Sequence, residues 1–507
     1  MSGSAAVSEL SQWIETMFAV DPAADELEFE KRWTSWGELD AASAGLSRLL
    51  EANGIAAGTR IGVLLRNRAP IVAVLLALFR SDRCLASINA AAPVDKLAED
   101  IVRAAAPVYV ALESDWQNPE LRAAASEVGA LAISLPAELA GPARLVEGQA
   151  PDRSRWTQVD GQGLAIEMLS SGTTGTPKRI PLSIRKFEAA LRGAAAYEKG
   201  RAENDEPRLR GGVQIVTAPL AHIAGITAVM NNVLAGRKIC LIEKFTVETF
   251  RDAVVRHRPK VAGAPPSALK MLFDANLPKE DLSSLVAYRT GTAPLDPDLA
   301  DAFYERYGIP VLQNYGATEF AGGAAGWTLP EFKSFWKEKR GSVGRVNKGI
   351  EARVIDPETG EPLSPGETGL LELKGGNIGS GDWVRTTDLA VVDADRFLFI
   401  KGRADGAIIR GGFKILPEDV VKALESHPAI REAAVAGIAD ERLGQVPVAA
   451  YAVRNGAEGI TPEALRDFLK ERLMPYQVPV RFREVAEFPR TPSMKVSLPG
   501  LRALFAD

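Results

Sequence analysis

Cysteine and histidine are scarce. Two cysteines, Cys84 and Cys240, in 507 residues cannot build a disulfide framework and fit a reducing compartment. Neither sits in a metal-ligand spacing. With only three histidines, His222, His257 and His427, a multi-histidine metal centre is nearly excluded. His257 and His427 fall near helix ends and read as surface or capping groups. Long apolar runs are also missing. The longest, Ile71 to Phe79, has nine residues, about half of the ~20 needed to span a bilayer, and reads as a buried helix. The N-terminus, MSGSAAVSEL, lacks a basic region followed by an apolar one, so no signal peptide is expected. There is no excess of positive charge: 60 Lys and Arg face 65 Asp and Glu, a net of −5. Neither nucleic acid nor an anionic membrane is favoured as a partner. A soluble cytoplasmic protein is the expectation.

A hydrophobic fraction of 46% with 25% charged residues can bury a sizeable core, and the length predicts two to four domains. From about residue 60, short apolar runs alternate with longer amphipathic ones. Strands are expected at Arg60–Leu65, Pro107–Leu112, Val213–Thr217, Lys238–Ile242, Ser284–Tyr288 and Val311–Gln313. Helices are expected at Ala69–Phe79, Val247–His257 and Asp296–Tyr307. This alternation predicts α/β layers with largely parallel sheets. Near residue 340 the texture changes to short alternating strands, Ile350–Asp356 and Gly369–Lys374, which predict a small antiparallel subdomain. After Arg403 an α+β unit of two helices among strands begins. The polar, glycine-bearing segment Lys401–Gly406 reads as a linker, giving an N-terminal domain of residues 1–403 and a small, mobile C-terminal domain of residues 404–507.

One loop carries chemistry on its face. Ser170, Ser171, Gly172, Thr173, Thr174, Gly175 and Lys178 follow the apolar run Ala165–Leu169. Two glycines allow a tight turn in which successive N–H groups converge, and hydroxyls and an ammonium add donors, a concavity suited to phosphates. A surface turn is the plainer reading of such a cluster. It is not a Walker loop, because no Gly-Lys-Ser/Thr closes it. Further segments follow in order: Pro219–Gly225, Thr290–Leu295, Asn314–Glu319, Trp383–Asp388, Gly402–Asp405, Arg410–Lys414 and Pro492–Lys495. Together with Ser171–Lys178 they closely resemble the motifs of the adenylate-forming superfamily, which contains acyl- and aryl-CoA ligases, peptide-synthetase adenylation domains and beetle luciferases. The resemblance runs from about residue 30 to the end.

That resemblance implies an enzyme that uses ATP, Mg²⁺ and CoA. A carboxylate attacks the α-phosphate of ATP, pyrophosphate leaves, and a thiol then displaces AMP from the acyl-adenylate. The 170–178 loop would cradle the β- and γ-phosphates, Thr318 would contact the α-phosphate and Glu319 would hold Mg²⁺. Thr292, Ala293, Asn314, Tyr315 and Gly316 would surround the adenine, with Tyr315 stacking on it. Asp388 and Arg403 would meet the ribose. Lys495 would enter the site and offset charge between carboxylate and α-phosphate. Asp405 would be the hinge. Gly411 and Gly412 would approach the pantetheine arm. His222 would position or gate the acid. Taken singly, each of these charged residues reads as a solvated surface group, and His222 or Tyr315 as core.

Four positions depart from the family pattern. Met494 replaces a glycine, Gly406 follows the hinge in place of an acid, Arg179 stands where glycine is common and should add charge near the phosphates, and Thr387 replaces a glycine before Asp388. The segment Ala218–Gly225 holds no acid to pair a substrate ammonium, so a simple carboxylic acid is preferred to an amino acid. Small residues in candidate pocket segments, among them Ala264, Gly291, Ala317 and Gly322, leave room for an apolar aryl, cyclic or medium- to long-chain body. No carrier domain follows residue 507, which makes free CoA the expected acceptor. The alternatives are a stand-alone adenylating enzyme that loads a carrier protein and a non-catalytic nucleotide-binding module. The partner expected is a small carboxylic acid. The oligomeric state is open, a homodimer among the options.

Overall fold

A computed structural model describes residues 7–139, 141–157, 159–169, 178–195, 207–378, 381–404, 406–410, 413–454, 460–491 and 494–506. The largest sheet has seven strands, in the spatial order Arg144–Leu145, Leu131–Leu135, Val108–Leu112, Arg60–Leu65, Cys84–Asn89, Leu164–Leu169 and Arg179–Ser183. The inner five are parallel and both edge strands antiparallel. Every residue of Arg60–Leu65 is buried, as a parallel strand covered on both faces requires. The period of two sorts its neighbours. Ile61, Val63, Val108 and Val110 join one core, while Leu64, Tyr109 and Ala111 join another on the opposite face.

The apolar run forms the helix Ala69–Arg80, entered through Pro70 and buried along all but its last residue. Proline suits that position because the first-turn N–H has no helical partner. Each of Ile71, Leu75 and Leu78, fully buried, contributes about 1.5–3 kcal/mol.

A second sheet orders Arg210–Val216, Arg237–Leu241, Asp25–Phe29 and Arg32–Ser35. A third runs Val261–Gly263, Ala287–Thr290, Val311–Ala317, Gly322–Gly326 and Arg345–Val346. The expected strand at Ser284–Tyr288 thus begins three residues later, because Ser283 and Ser284 still belong to the turn that ends the helix Lys279–Leu282. The segment read as Val311–Gln313 continues to Ala317. The small antiparallel sheet is present as Glu351–Ile355, Thr368–Lys374, Val384–Val392 and Leu398–Arg403. A smaller C-terminal α+β domain follows, with a sheet centred on the Ile430–Asp440 and Gly444–Val453 hairpin and the helices Pro417–Glu425 and Pro462–Lys470.

The chain folds earlier than residue 30. Helix Glu9–Val20 buries Leu10, Ile14, Met17 and Phe18 in the first core. No helix among the described residues is long and apolar enough to cross a membrane.

Candidate functional site

The N-terminal sheets and helices and the C-terminal domain line a cleft of about 3030 Å³. Its wall includes Lys178, His222, Thr292, Ala293, Asn314, Tyr315, Gly316, Ala317, Thr318, Glu319, Gly322, Asp388, Arg403 and Lys495. Residues from seven separate stretches of sequence and both domains therefore meet in one place. Ser170–Gly175, the hinge position Asp405, and Gly411 and Gly412 lie outside the described residues. Two expected substrate contacts, Ala264 and Gly291, stand behind the wall. The Ala264 carbonyl accepts from the Thr290 hydroxyl at 2.8 Å. A Cβ at Gly291 would lie 1.9 Å from Asn314 Oδ1, so glycine is there to let the two segments close.

His222 is placed by its backbone. Its N–H donates to the Pro219 carbonyl at 2.9 Å and its own carbonyl accepts from Gly225 at 3.0 Å, starting the helix Ile223–Leu234. Gly225 is forced, since a Cβ would sit 2.2 Å from the Pro219 carbonyl oxygen. Asn67 clamps the same turn from the largest sheet. Its amide donates to the Ala218 and Ile242 carbonyls at 3.1 and 2.9 Å, and its oxygen accepts from Leu220 N–H at 2.8 Å. His222 Nε2 is buried with no partner among the described residues. Burial, and then the Lys495 ammonium, pull its pKa down to about 4, so the ring is neutral at physiological pH.

Tyr315 ends up beside Asp388, to which its hydroxyl donates. Burial first, then the Asp388 charge, push the phenol well above its ordinary range. Asp388 pairs in register with Arg403 across the antiparallel sheet. Thr387, the residue that departs from glycine, accepts from Arg403 Nη2 at 2.7 Å, so the departure holds the guanidinium. Arg179 does not serve the phosphates as expected. Its guanidinium donates to the Ser87 carbonyl at 3.1 Å and to Asp100 at 3.2 Å, and its charge is neutralised inside the large sheet.

Lys495 arrives on a turn with little freedom. Arg490 donates to both Glu432 carboxylate oxygens, at 2.6 and 2.7 Å, and to the Met494 carbonyl at 3.0 Å. Thr491 N–H donates to the Lys495 carbonyl at 2.7 Å. Met494 stands at φ +64°, the left-handed region where glycine is at ease and other residues carry a cost. Thr292 adopts φ +67°, uncommon for a β-branched residue. The Lys495 side chain stands open to the cleft, yet the walls remove it from bulk water. That burial lowers its pKa, Arg403 lowers it further, and Asp388 opposes both.

Three groups escaped the sequence reading. Lys186 has its pKa lowered by burial and raised by Glu319, which places a cation near the expected metal ligand. Glu418 lines the cleft with a buried Oε2 that has no hydrogen-bond partner among the described residues; burial raises its pKa, with Arg403 lowering it and Asp388 adding to the rise. Glu425 also lines the cleft. Burial pushes its carboxyl up to about 7; the Ala433 N–H opposes, Asp296 and Glu432 add, and Lys270 lowers. Each is an acid or lysine on an amphipathic helix, where sequence shows only a solvated charge. A further misreading concerns His257, whose side chain is 10% exposed against Glu28 and so is not a surface group.

The chain matches the family described as AMP-binding enzyme over residues 14–383, and the AMP-binding enzyme C-terminal domain over residues 420–495. It is 31% identical over 360 residues to peroxisomal OPC-8:0-CoA ligase 1 of Arabidopsis thaliana, covering 67% of this chain and 64% of that protein. It is 30% identical over 412 residues to 4-coumarate–CoA ligase-like 3 of the same plant, covering 77% and 70%. Among solved structures, ATP-bound MatB from Rhodopseudomonas palustris superposes with a TM-score of 0.81 at 24% identity, covering 98% of this chain and 99% of that one. The apo form of the same protein gives 0.68. With a match that spans most of the chain and both of its domains, the chain belongs to the AMP-binding enzyme family, the adenylate-forming superfamily.

Proposed function

We propose that this chain is an ATP-dependent, AMP-forming acid–CoA ligase. The observation that carries the reading is the meeting of Lys495 with His222, Asp388 and Arg403 in one cleft. Two anions, a carboxylate and a triphosphate, must be brought together. An ammonium between them offsets their repulsion and stabilises charge as the carboxylate oxygen bonds to the α-phosphorus and pyrophosphate departs. Thr318 lies at the same wall to contact the α-phosphate. Tyr315 and Asp388 present a flat ring and an acceptor to adenine and ribose, and Arg403, held by Thr387, covers the sugar. Neutral His222 borders the acid subsite without adding a second cation. In the second half-reaction the CoA sulfur attacks the acyl carbonyl and AMP leaves.

The donor set fits Mg²⁺. Glu319 is a hard oxygen ligand in the cleft wall, and the ion, held by it and by phosphate oxygens, would neutralise triphosphate charge. Lys186 nearby then balances the Glu319 charge when no ion is bound.

The acid subsite is walled on one side by Ile223, Ala224, Thr227 and Ala228 of the helix that His222 starts. Its side chains are mostly small and uncharged, which supports an apolar aryl, cyclic or medium- to long-chain acid. In this reading residues 1–403 hold the nucleotide, residues 404–507 form the lid with its hinge at Asp405, and the protein acts in the cytoplasm on a small acid. Pyrophosphate exchange over a panel of acids, followed by AMP release with and without CoA, tests it. Exchange with apolar acids and AMP release that requires CoA support the ligase. Exchange without CoA-dependent release points to a carrier protein as acceptor. No exchange with any acid overturns the reading in favour of a binding module.

A further inference from the structure

Arg289 is a cation of the cleft wall without a counterpart. Arginines elsewhere on that wall hold an oxygen. Arg210 donates to the Ala235 carbonyl, Arg431 to that of Ala486 and Arg502 to that of Gly437, while Arg403 donates to the Thr387 hydroxyl and Arg490 to the Glu432 carboxylate. The Arg289 side chain makes neither hydrogen bond nor ion pair among the described residues. It stands open to the cleft, yet the walls remove it from bulk water. That burial lowers its pKa, and no neighbouring charge acts on it. A guanidinium cannot shed its proton, so this part of the wall carries an unbalanced positive charge that an anion would relieve.

The strand Ala287–Thr290 sets where that charge stands. Tyr288 and Thr290 are buried and send their hydroxyls to the Ala264 carbonyl, at 3.4 and 2.8 Å. The period of two turns Arg289 to the other face. Its register partners on the flanking strands, Gly263 and Leu312, are uncharged. The Gly263 carbonyl accepts from the Thr217 hydroxyl at 3.1 Å, and Thr217 leads directly into the turn that presents His222. The strand of Arg289 is therefore tied to the segment that borders the acid subsite. The nucleotide groups lie apart from it: Asp388 and Arg403 act on Lys495, and none of the three acts on Arg289. In the proposed function Lys495 serves the first half-reaction, and it stands in the cleft here. The acid is a reactant of that step and CoA is not. The anion for Arg289 is then a group on the acid other than the carboxylate that is activated.

We propose that Arg289 binds a second carboxylate of the acid, and that the substrate is a dicarboxylic acid activated at one end only. The proposal rests on the ligase reading and narrows it: an apolar body separates two anionic ends. One carboxylate oxygen bonds to the α-phosphorus as pyrophosphate leaves. The other carboxylate keeps its charge, and the planar guanidinium fork meets both of its oxygens. The CoA sulfur then displaces AMP, and the product is a half-thioester that still carries an anion. An acid with the same body but no second charge leaves the guanidinium unpaired and is disfavoured for that reason.

The test compares dicarboxylic acids of graded length with their monomethyl esters in pyrophosphate exchange by the full-length protein. Wild type should favour a diacid over its half-ester by about 10–100-fold in kcat/KM, the loss expected when a hydrogen bond to a charged group is left unmade. Arg289→Met should bring that diacid down to the level of its half-ester, mainly through KM, and Arg289→Lys should restore part of the preference. Should Arg289→Met fail to fold, Arg289→Lys and the wild-type comparison decide. Wild type that prefers half-esters or simple monoacids at every length overturns the proposal and leaves the ligase reading standing. So does an Arg289→Met protein that keeps the diacid preference, or one whose sole change is a raised KM for CoA, which would assign the guanidinium to a CoA phosphate. No exchange with any acid overturns the ligase reading itself, and this proposal with it.

Discussion

Replacement of Lys495 by alanine removes a cation that the C-terminal domain brings beside His222, Asp388 and Arg403. The turn that presents it is fixed by Arg490 and Thr491 through backbone carbonyls, so truncation beyond Cβ leaves the turn intact. The loss can be sized. Unit charges about 4 Å apart at an effective dielectric near 20 attract by about 4 kcal/mol, or about three decades in rate at 1.36 kcal/mol per decade. Adenylate formation, followed by pyrophosphate exchange, should therefore fall by about 10³-fold. Thioester formation from supplied acyl-adenylate and CoA makes no use of this charge and should stay within about threefold. The lowered pKa of Lys495 adds a second readout. Deprotonation removes the cation, so wild-type adenylation should decline on the alkaline side below the range of an ordinary lysine, whereas Lys495→Ala should show no such limb. Exchange within about tenfold of wild type, or equal losses in both half-reactions, would refute the assignment.

Three other substitutions probe the surroundings. Thr387→Gly deletes the acceptor that holds Arg403; a bond to a charged group is worth about 1.5–3 kcal/mol when buried and less at this exposed position, so the KM for ATP should rise about 3–10-fold with kcat little changed, and an unaltered KM would count against a role for the threonine. Met494→Gly relieves a left-handed residue, which costs about 1–2 kcal/mol, partly offset by the greater freedom of glycine in the unfolded chain; thermal unfolding should shift upward by a few degrees, and a downward shift would show that the Met494 side chain contributes more than its backbone costs. Glu425→Gln tests the carboxyl raised to about 7. Its folded pKa exceeds the unfolded value, so the native state binds the extra proton between about pH 4.5 and 7, and wild-type stability declines as pH rises through that window. The variant should be more stable than wild type above about pH 7 and equal to it near pH 5, measured by thermal unfolding at both.

Much of this was legible from local pattern. The helix Val247–His257 appears with the expected bounds, as its spacing of Val247, Phe250, Val254 dictates. The Ile71–Phe79 run is the buried helix it promised. The motif segments supplied the cleft residues because each is compact in sequence. What failed was what depends on partners far along the chain. Asp25–Phe29 carries acids at 26 and 28 and reads as polar, yet both carboxylates are 1% exposed, since the hairpin is laid against strands some 200 residues later. Arg179 read as added charge near the phosphates because Asp100, which pairs with it, is remote in sequence. Gly291 is small because Asn314 packs against it and not for ligand space, a distinction no one-dimensional pattern contains.

Asn67 is not among the residues that line the cleft, yet its side chain ties the large sheet to the turn from which His222 springs and to the carbonyl of Ile242. One amide thereby helps to set where the His222 turn stands at the cleft wall. Under the proposed function, acid preference is open to retuning by inherited change at a position that does not line the cleft, and surveys restricted to pocket walls will overlook that lever.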